Sequence, residues 1–172
     1  AWRLLVDLGI CELPVKVSDV CKKLDIDVLL YQATDGTGGK CRRIKGKYTI
    51  YVNADDPPER QRFTTAHELG HILLGHVGKH KLVNREPQPD DNPIEQAANV
   101  FAVRLLAPAC VLHELNVHSA EDIARICNIS QQAAQFRFQR LKVLNERNKF
   151  YISPLERTVK MQFDKYIEEN KL

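Results

Sequence analysis

A chain of 172 residues is long enough for one domain, with or without two lobes, and for a real hydrophobic core. A net charge of +3 gives no argument for nucleic acid, whose partners carry a concentrated basic stripe, and no apolar run approaches the roughly 20 residues that cross a bilayer. Five cysteines (Cys11, Cys21, Cys41, Cys110, Cys127), odd in number and without a C-x-x-C pair, argue against a disulfide framework or a structural zinc site; with no signal-peptide pattern at the opening, the expectation is a cytoplasmic protein with free thiols and no membrane partner.

Residues 1–24 predict two short packing helices. Trp2-Arg3-Leu4-Leu5-Val6-Asp7-Leu8 is apolar on one side, and Pro14 and Ser18 mark the break before a second group, Val17, Val20, Cys21 and Leu24. From Val28 the pattern changes to strands. Val28-Leu29-Leu30-Tyr31 ends at the turn cluster of residues 35–39, and Tyr48-Thr49-Ile50-Tyr51-Val52-Asn53 is rich in β-branched and aromatic residues. Residues 28–53 are therefore expected to form a small antiparallel sheet. Five of the eight residues from 40 to 47 are basic, which reads as a solvated hairpin more readily than as a grip on an acidic partner. The strand 48–53 runs straight into the next helix, so its edge is expected beside any site there, open to an extended peptide.

That helix occupies residues 57–76 and contains His67-Glu68-Leu69-Gly70-His71, an H-E-x-x-H pattern. At about 100° per residue the two histidines fall one turn apart on one face, where they can hold a zinc ion, with Glu68 beside it as general base. Asp55 and Asp56 are candidate caps, Pro57-Pro58 suits a first turn, and the helix is expected to reach Gly75 or beyond. A third histidine ligand does not follow in step: Leu74 and Val77 hold the positions a metzincin gives to Gly and His. If the helix continues, His76 falls on the opposite face, so His76 and His80 are not expected as ligands.

Residues 78–92 are a polar loop, either a flap beside the site or a plain connector. Asn92-Pro93 then opens a helix of residues 94–106, stopped by Pro108. Glu95 admits two readings: a capping-box glutamate, or a third zinc ligand 24 residues beyond His71. Asn99 lies one turn later on the same face, placed to orient a ligand. Periodicity leaves both readings of Glu95 open.

The run Phe63-Thr64-Thr65-Ala66-His67-Glu68-Leu69-Gly70-His71-Ile72-Leu73-Leu74-Gly75-His76 and the later Glu95-x-x-Ala98-Asn99-x-Phe101-Ala102-x-x-Leu105-Leu106-x-Pro108 closely resemble the ImmA/IrrE family of metallopeptidases. Gly9-Ile10-x-x-Leu13-Pro14 near the start and Leu155-Glu156-x-x-Val159-x-x-Gln162-Phe163 near the end are similar too. The resemblance implies an α+β fold with a zincin-like core, its sheet packed on the H-E-x-x-H helix, and one catalytic zinc ion held by His67, His71 and Glu95. Glu68 would be the general base. It also implies a protein substrate, a helix-turn-helix repressor of phage or mobile-element type, cut to release transcription. Ala97 stands where an acidic residue is common in that family and Ala107 where Met is usual; neither touches the expected site.

The chain is expected to divide into a core of residues 1–112 and a helical lobe of 113–172. In the lobe, Ala124, Asn128 and Ile129-Ser130 read like the turn of a helix-turn-helix, with Arg137, Arg140, Lys142, Arg147 and Lys149 making it basic. A packing pair is the expected role, without direct nucleic-acid binding. Ser153-Pro154-Leu155-Glu156 is a capping box for the last helix. The competing functional reading is a non-proteolytic regulatory module whose lobe contacts DNA or a regulator. An oxyanion-stabilising His or Tyr is expected, with Tyr48, Tyr51, His113 and His118 as candidates.

Overall fold

The computed structural model describes residues 1–33, 38–77 and 92–172. In chain order the elements are α1 (Trp2–Asp7), α2 (Val17–Lys23), β1 (Asp27–Tyr31), β2 (Gly39–Ile44), β3 (Lys47–Asn53), α3 (Pro58–Leu73), α4 (Pro93–Leu106), α5 (Ala109–Glu114), α6 (Ala120–Cys127), α7 (Gln131–Glu146), α8 (Pro154–Gln162) and α9 (Asp164–Asn170). The fold is α+β, as expected. Two compact units account for it: Lys16–Ala102, and Ala1–Val15 together with Val103–Leu172. This differs from a division at 112/113. The first fifteen residues group with the C-terminal helices, because Leu5 is fully buried there and the Gln162 amide donates to the carbonyls of Leu5 and Ile10.

In the unit Lys16–Ala102 the sheet has the order β1-β3-β2. It is mixed, which corrects the antiparallel expectation. β2 and β3 pair antiparallel, from Gly39↔Val52 to Ile44↔Lys47, and β1 pairs parallel to β3, from Asp27↔Thr49 to Tyr31↔Asn53. The hairpin is closed by Lys45 (φ 49°) and Gly46 (φ 88°), the two positive φ values that a two-residue turn matching the sheet twist requires. Two chain reversals, after β1 and after β2, return β3 to the direction of β1, and β3 slots between its predecessors. It therefore has a strand on each side. The peptide-accepting edge expected on residues 48–53 is not there.

α3 lies against β2 and β3. Its first turn is not capped by Asp55 or Asp56: Pro57 is the N-cap residue, and Pro58, lacking an N–H, removes one of the donors a cap would serve. Asp56 instead pairs with Arg60 at 3.3 Å, and the Gln61 amide donates to the carbonyls of Asp56 (2.8 Å) and Ala54 (3.1 Å). A Cβ on Gly39 would lie 2.2 Å from Thr64 Cγ2 and 2.9 Å from the Tyr51 carbonyl, so only glycine lets β2 approach α3 this closely. The helix ends two residues early. Leu74 is its C-cap and Gly75 (φ 72°) turns the chain back, with the His76 N–H donating to the His71 carbonyl at 2.9 Å.

α4 opens as expected on Asn92, whose side chain accepts from the Ile94 N–H at 3.0 Å. It packs on α3 where Gly70 faces Ala98 and Phe101. A Cβ on Gly70 would lie 3.1 Å from Phe101 Cδ1 and 3.3 Å from Ala98 Cα. The 22-residue stretch Pro93–Glu114, mean hydropathy 1.2, is long and apolar enough to cross a bilayer, against expectation. Pro108 divides it into α4 and α5, and 56% of its apolar window is buried, as in a core helix.

In the other unit α6 carries a reciprocal capping box between Ser119 and Asp122 and ends at Asn128 in the left-handed region (φ 50°); Ser130 then caps α7. The helix-turn-helix-like geometry is present. Arg137, however, is buried and donates through Nε to the Ala107 carbonyl at 2.7 Å, so it does not belong to a basic surface. Ser153 accepts from the Glu156 N–H as expected, but the last helix is two, broken at the fully buried Phe163. α5 was not anticipated: Pro108, read as a stop, is also the N-cap residue of a new helix. All five cysteines are free, with Cys21, Cys110 and Cys127 buried.

Candidate metal centre

One turn of α3 presents His67 and His71, with ring centroids 4.7 Å apart and their Nε2 atoms 3.0 Å apart. Glu95, in the first turn of α4, directs one carboxylate oxygen to each imidazole. Oε2 lies 3.2 Å from His67 Nε2 and Oε1 3.4 Å from His71 Nε2. Both oxygens are thus turned to the histidines, and the N-terminal position of α4 is served by Asn92 instead. A single donor atom from each of the three residues lies within 4.8 Å of the others, a group that could hold a metal ion.

The chemistry of this donor set can be tested on its hydrogen bonds. Asn99 Oδ1 can only accept, so at 2.9 Å it places the His67 proton on Nδ1 and leaves Nε2 as a lone pair. Two imidazole nitrogens and a carboxylate meet here, and a cation would join them as its ligands. The two Nε2 atoms are 3.0 Å apart, and each has a different oxygen of the Glu95 carboxylate within 3.4 Å. Two imidazoles and a carboxylate are the donor types of zinc sites that keep a position for water. Burial holds the His71 imidazolium below its ordinary range, helped by the neighbouring His67 and opposed by Glu68 and Glu95; the neutral, ligating form is thereby favoured.

Glu68 is 1% exposed, with its Cγ facing the space left by Gly39 on β2. His76 is not on the opposite face of α3. The reversal at Gly75 brings its Nδ1 to 3.1 Å from His71 Nδ1. Sequence reasoning missed this neighbour, although a glycine one residue before a histidine was the available signal. Of the oxyanion candidates, Tyr48 packs under Arg43 and Tyr51 against Tyr31, while His113 stacks on Phe150 and His118 meets Asn116 in the other unit. None of these recorded contacts is with the histidine pair. His80 and the loop expected as a flap lie outside the described residues, apart from Asn92 at the loop's end.

The model of a peptidase family, described as the IrrE N-terminal-like domain, matches residues 21–139, which include α3, all of α4 to α6 and the first part of α7. The chain is similar to the radiation response metalloprotease IrrE of Deinococcus deserti, 33% identical over 98 residues that cover 52% of this chain and 35% of that protein. It is also similar to its namesake from Deinococcus radiodurans, 38% identical over 71 residues covering 38% of this chain and 21% of that one. The chain thus spans about a third or less of the length of these relatives. With a family match extending over most of its residues and the donor set within it, the chain belongs to the peptidase family of the IrrE N-terminal-like domain.

Proposed function

We propose that this chain is a zinc-dependent endopeptidase of the cytoplasm that cuts a helix-turn-helix transcriptional repressor at a specific site and so releases the genes it silences. The observation that carries the catalytic part is the convergence of His67, His71 and Glu95, with one ligand atom from each within 4.8 Å of the others. The similarity to proteins named metalloproteases supports it. The repressor is proposed from the family resemblance.

His67, His71 and Glu95 would hold the ion, and Asn99 would orient His67 through its Nδ1 proton. A bound zinc ion supplies Lewis acidity, polarising a carbonyl and acidifying water. Glu68, one residue from His67 and shielded from bulk solvent, takes the proton of the attacking water and passes it to the leaving amine. Its role is in turnover and not in metal retention.

The test is incubation of the purified protein with a helix-turn-helix repressor from the same genome, with and without a chelator. Chelator-sensitive shortening of the partner supports the proposal. A partner that stays intact at saturating zinc, with a salt-sensitive shift of DNA by this protein, would favour a binding module in its place.

A further inference from the structure

The hydrogen-bond partner of His67 comes from α4, but that of His71 comes from the chain just beyond its own helix. We propose that His76 is a positioning residue for the metal centre, its Nδ1 accepting the hydrogen bond of His71 Nδ1–H and fixing the tautomer that turns His71 Nε2 towards the ion. The inference rests on reading His67, His71 and Glu95 as metal ligands.

The argument is one of proton placement. His71 Nε2 faces His67 Nε2 and Glu95, so a ligating His71 must carry its proton on Nδ1. His71 is 7% exposed, which leaves little room for water to accept that proton. The group in place is His76 Nδ1 at 3.1 Å, with the rings 5.2 Å apart and inclined at 67°, an edge-on approach and not a stack. To accept there, His76 carries its own proton on Nε2. This parallels Asn99 Oδ1 at 2.9 Å from His67 Nδ1. Each imidazole thus has an acceptor behind it, supplied by an element other than α3. The second acceptor depends on Gly75, whose φ of 72° turns the chain back within one residue of the helix end.

Asparagine places an oxygen where histidine has Nδ1, whereas phenylalanine keeps the ring and loses the acceptor. Zinc affinity is measured by competition with a chromogenic chelator for the unaltered protein, His76→Phe and His76→Asn, with circular dichroism as a check on folding. His76→Phe is expected to bind zinc about 10–100-fold more weakly, and His76→Asn to stay within about threefold of the unaltered protein. Equal affinity in all three overturns the role of His76 while leaving the metal reading standing. Absence of zinc binding by the unaltered protein removes both. Should His76→Phe not fold, two-bond proton–nitrogen spectra of the unaltered zinc-loaded protein decide: the His71 proton on Nδ1 and the His76 proton on Nε2 support the assignment, and a proton on His76 Nδ1 overturns it.

Discussion

Glu68 and Glu95 are both carboxylates near one imidazole pair, yet their surroundings give them different work. Glu95 shows both oxygens to the histidine nitrogens, whereas Glu68 is shut away beside β2. Glu68→Gln should therefore retain a full equivalent of metal by elemental analysis while peptidase activity falls by roughly 10²–10⁴-fold. Loss of the metal in that variant would contradict the division of roles. Glu95→Ala should do the opposite first, lowering zinc affinity in a chelator competition; undiminished affinity would return Glu95 to a capping role. At this scale the pair His67 and His71 was legible because helical spacing is local. Glu95 was ambiguous, because a capping glutamate and a ligand occupy the same position and only the tertiary approach of α4 separates them. His76 was illegible, since its place depends on whether the helix stops at Leu73 or continues.

At the level of elements, the site depends on how closely α3 and α4 approach. Gly70 sits beside His71 and opposite Ala98, one residue from Asn99, so the contact between two small residues sets the reach of Glu95 and Asn99. Gly70→Ala adds a methyl 3.1 Å from Phe101 and 3.3 Å from Ala98. It should cost about 1–3 kcal/mol by denaturant unfolding and weaken zinc binding as α4 shifts; an unchanged zinc affinity would mean that the helices give without moving the donors. At α6, burial alone would raise the Asp122 carboxyl, but hydrogen bonds from Ser119 Oγ and from the His118 and Ser119 N–H groups, with Arg125 close by, hold it below its ordinary 3.8. A lowered folded value means that this cap stabilises fully above about pH 4 and is lost as the pH falls through that value. Asp122→Ala should therefore cost about 1 kcal/mol at neutral pH, and the gap in melting temperature from the unaltered protein should close on acidification. A gap that stays constant to pH 3 would count against it. Elements were legible where capping is local, as at Asn92, Ser119, Ser130 and Ser153. Strand order was not, because period and propensity say which residues are extended and not which neighbour they choose; hence β3 was taken for an edge.

For the whole molecule, a ligand that binds only the folded state stabilises it by mass action. With free zinc at a hundred times its dissociation constant the gain is about 2.7 kcal/mol, and chelation should lower the melting temperature by about 5–10 °C. No shift on chelation or on zinc addition would mean that no metal is held. The division of the chain into units was the least legible feature, since nothing in residues 1–15 announces that Leu5 and Ile10 will meet Gln162. That pairing has a consequence for biogenesis. The unit that owns α1 also owns α8, so its two parts leave the ribosome separated by the whole of Lys16–Ala102, which emerges without interruption. The segment bearing His67, His71 and Glu95 is therefore synthesised in full before its discontinuous companion has been completed.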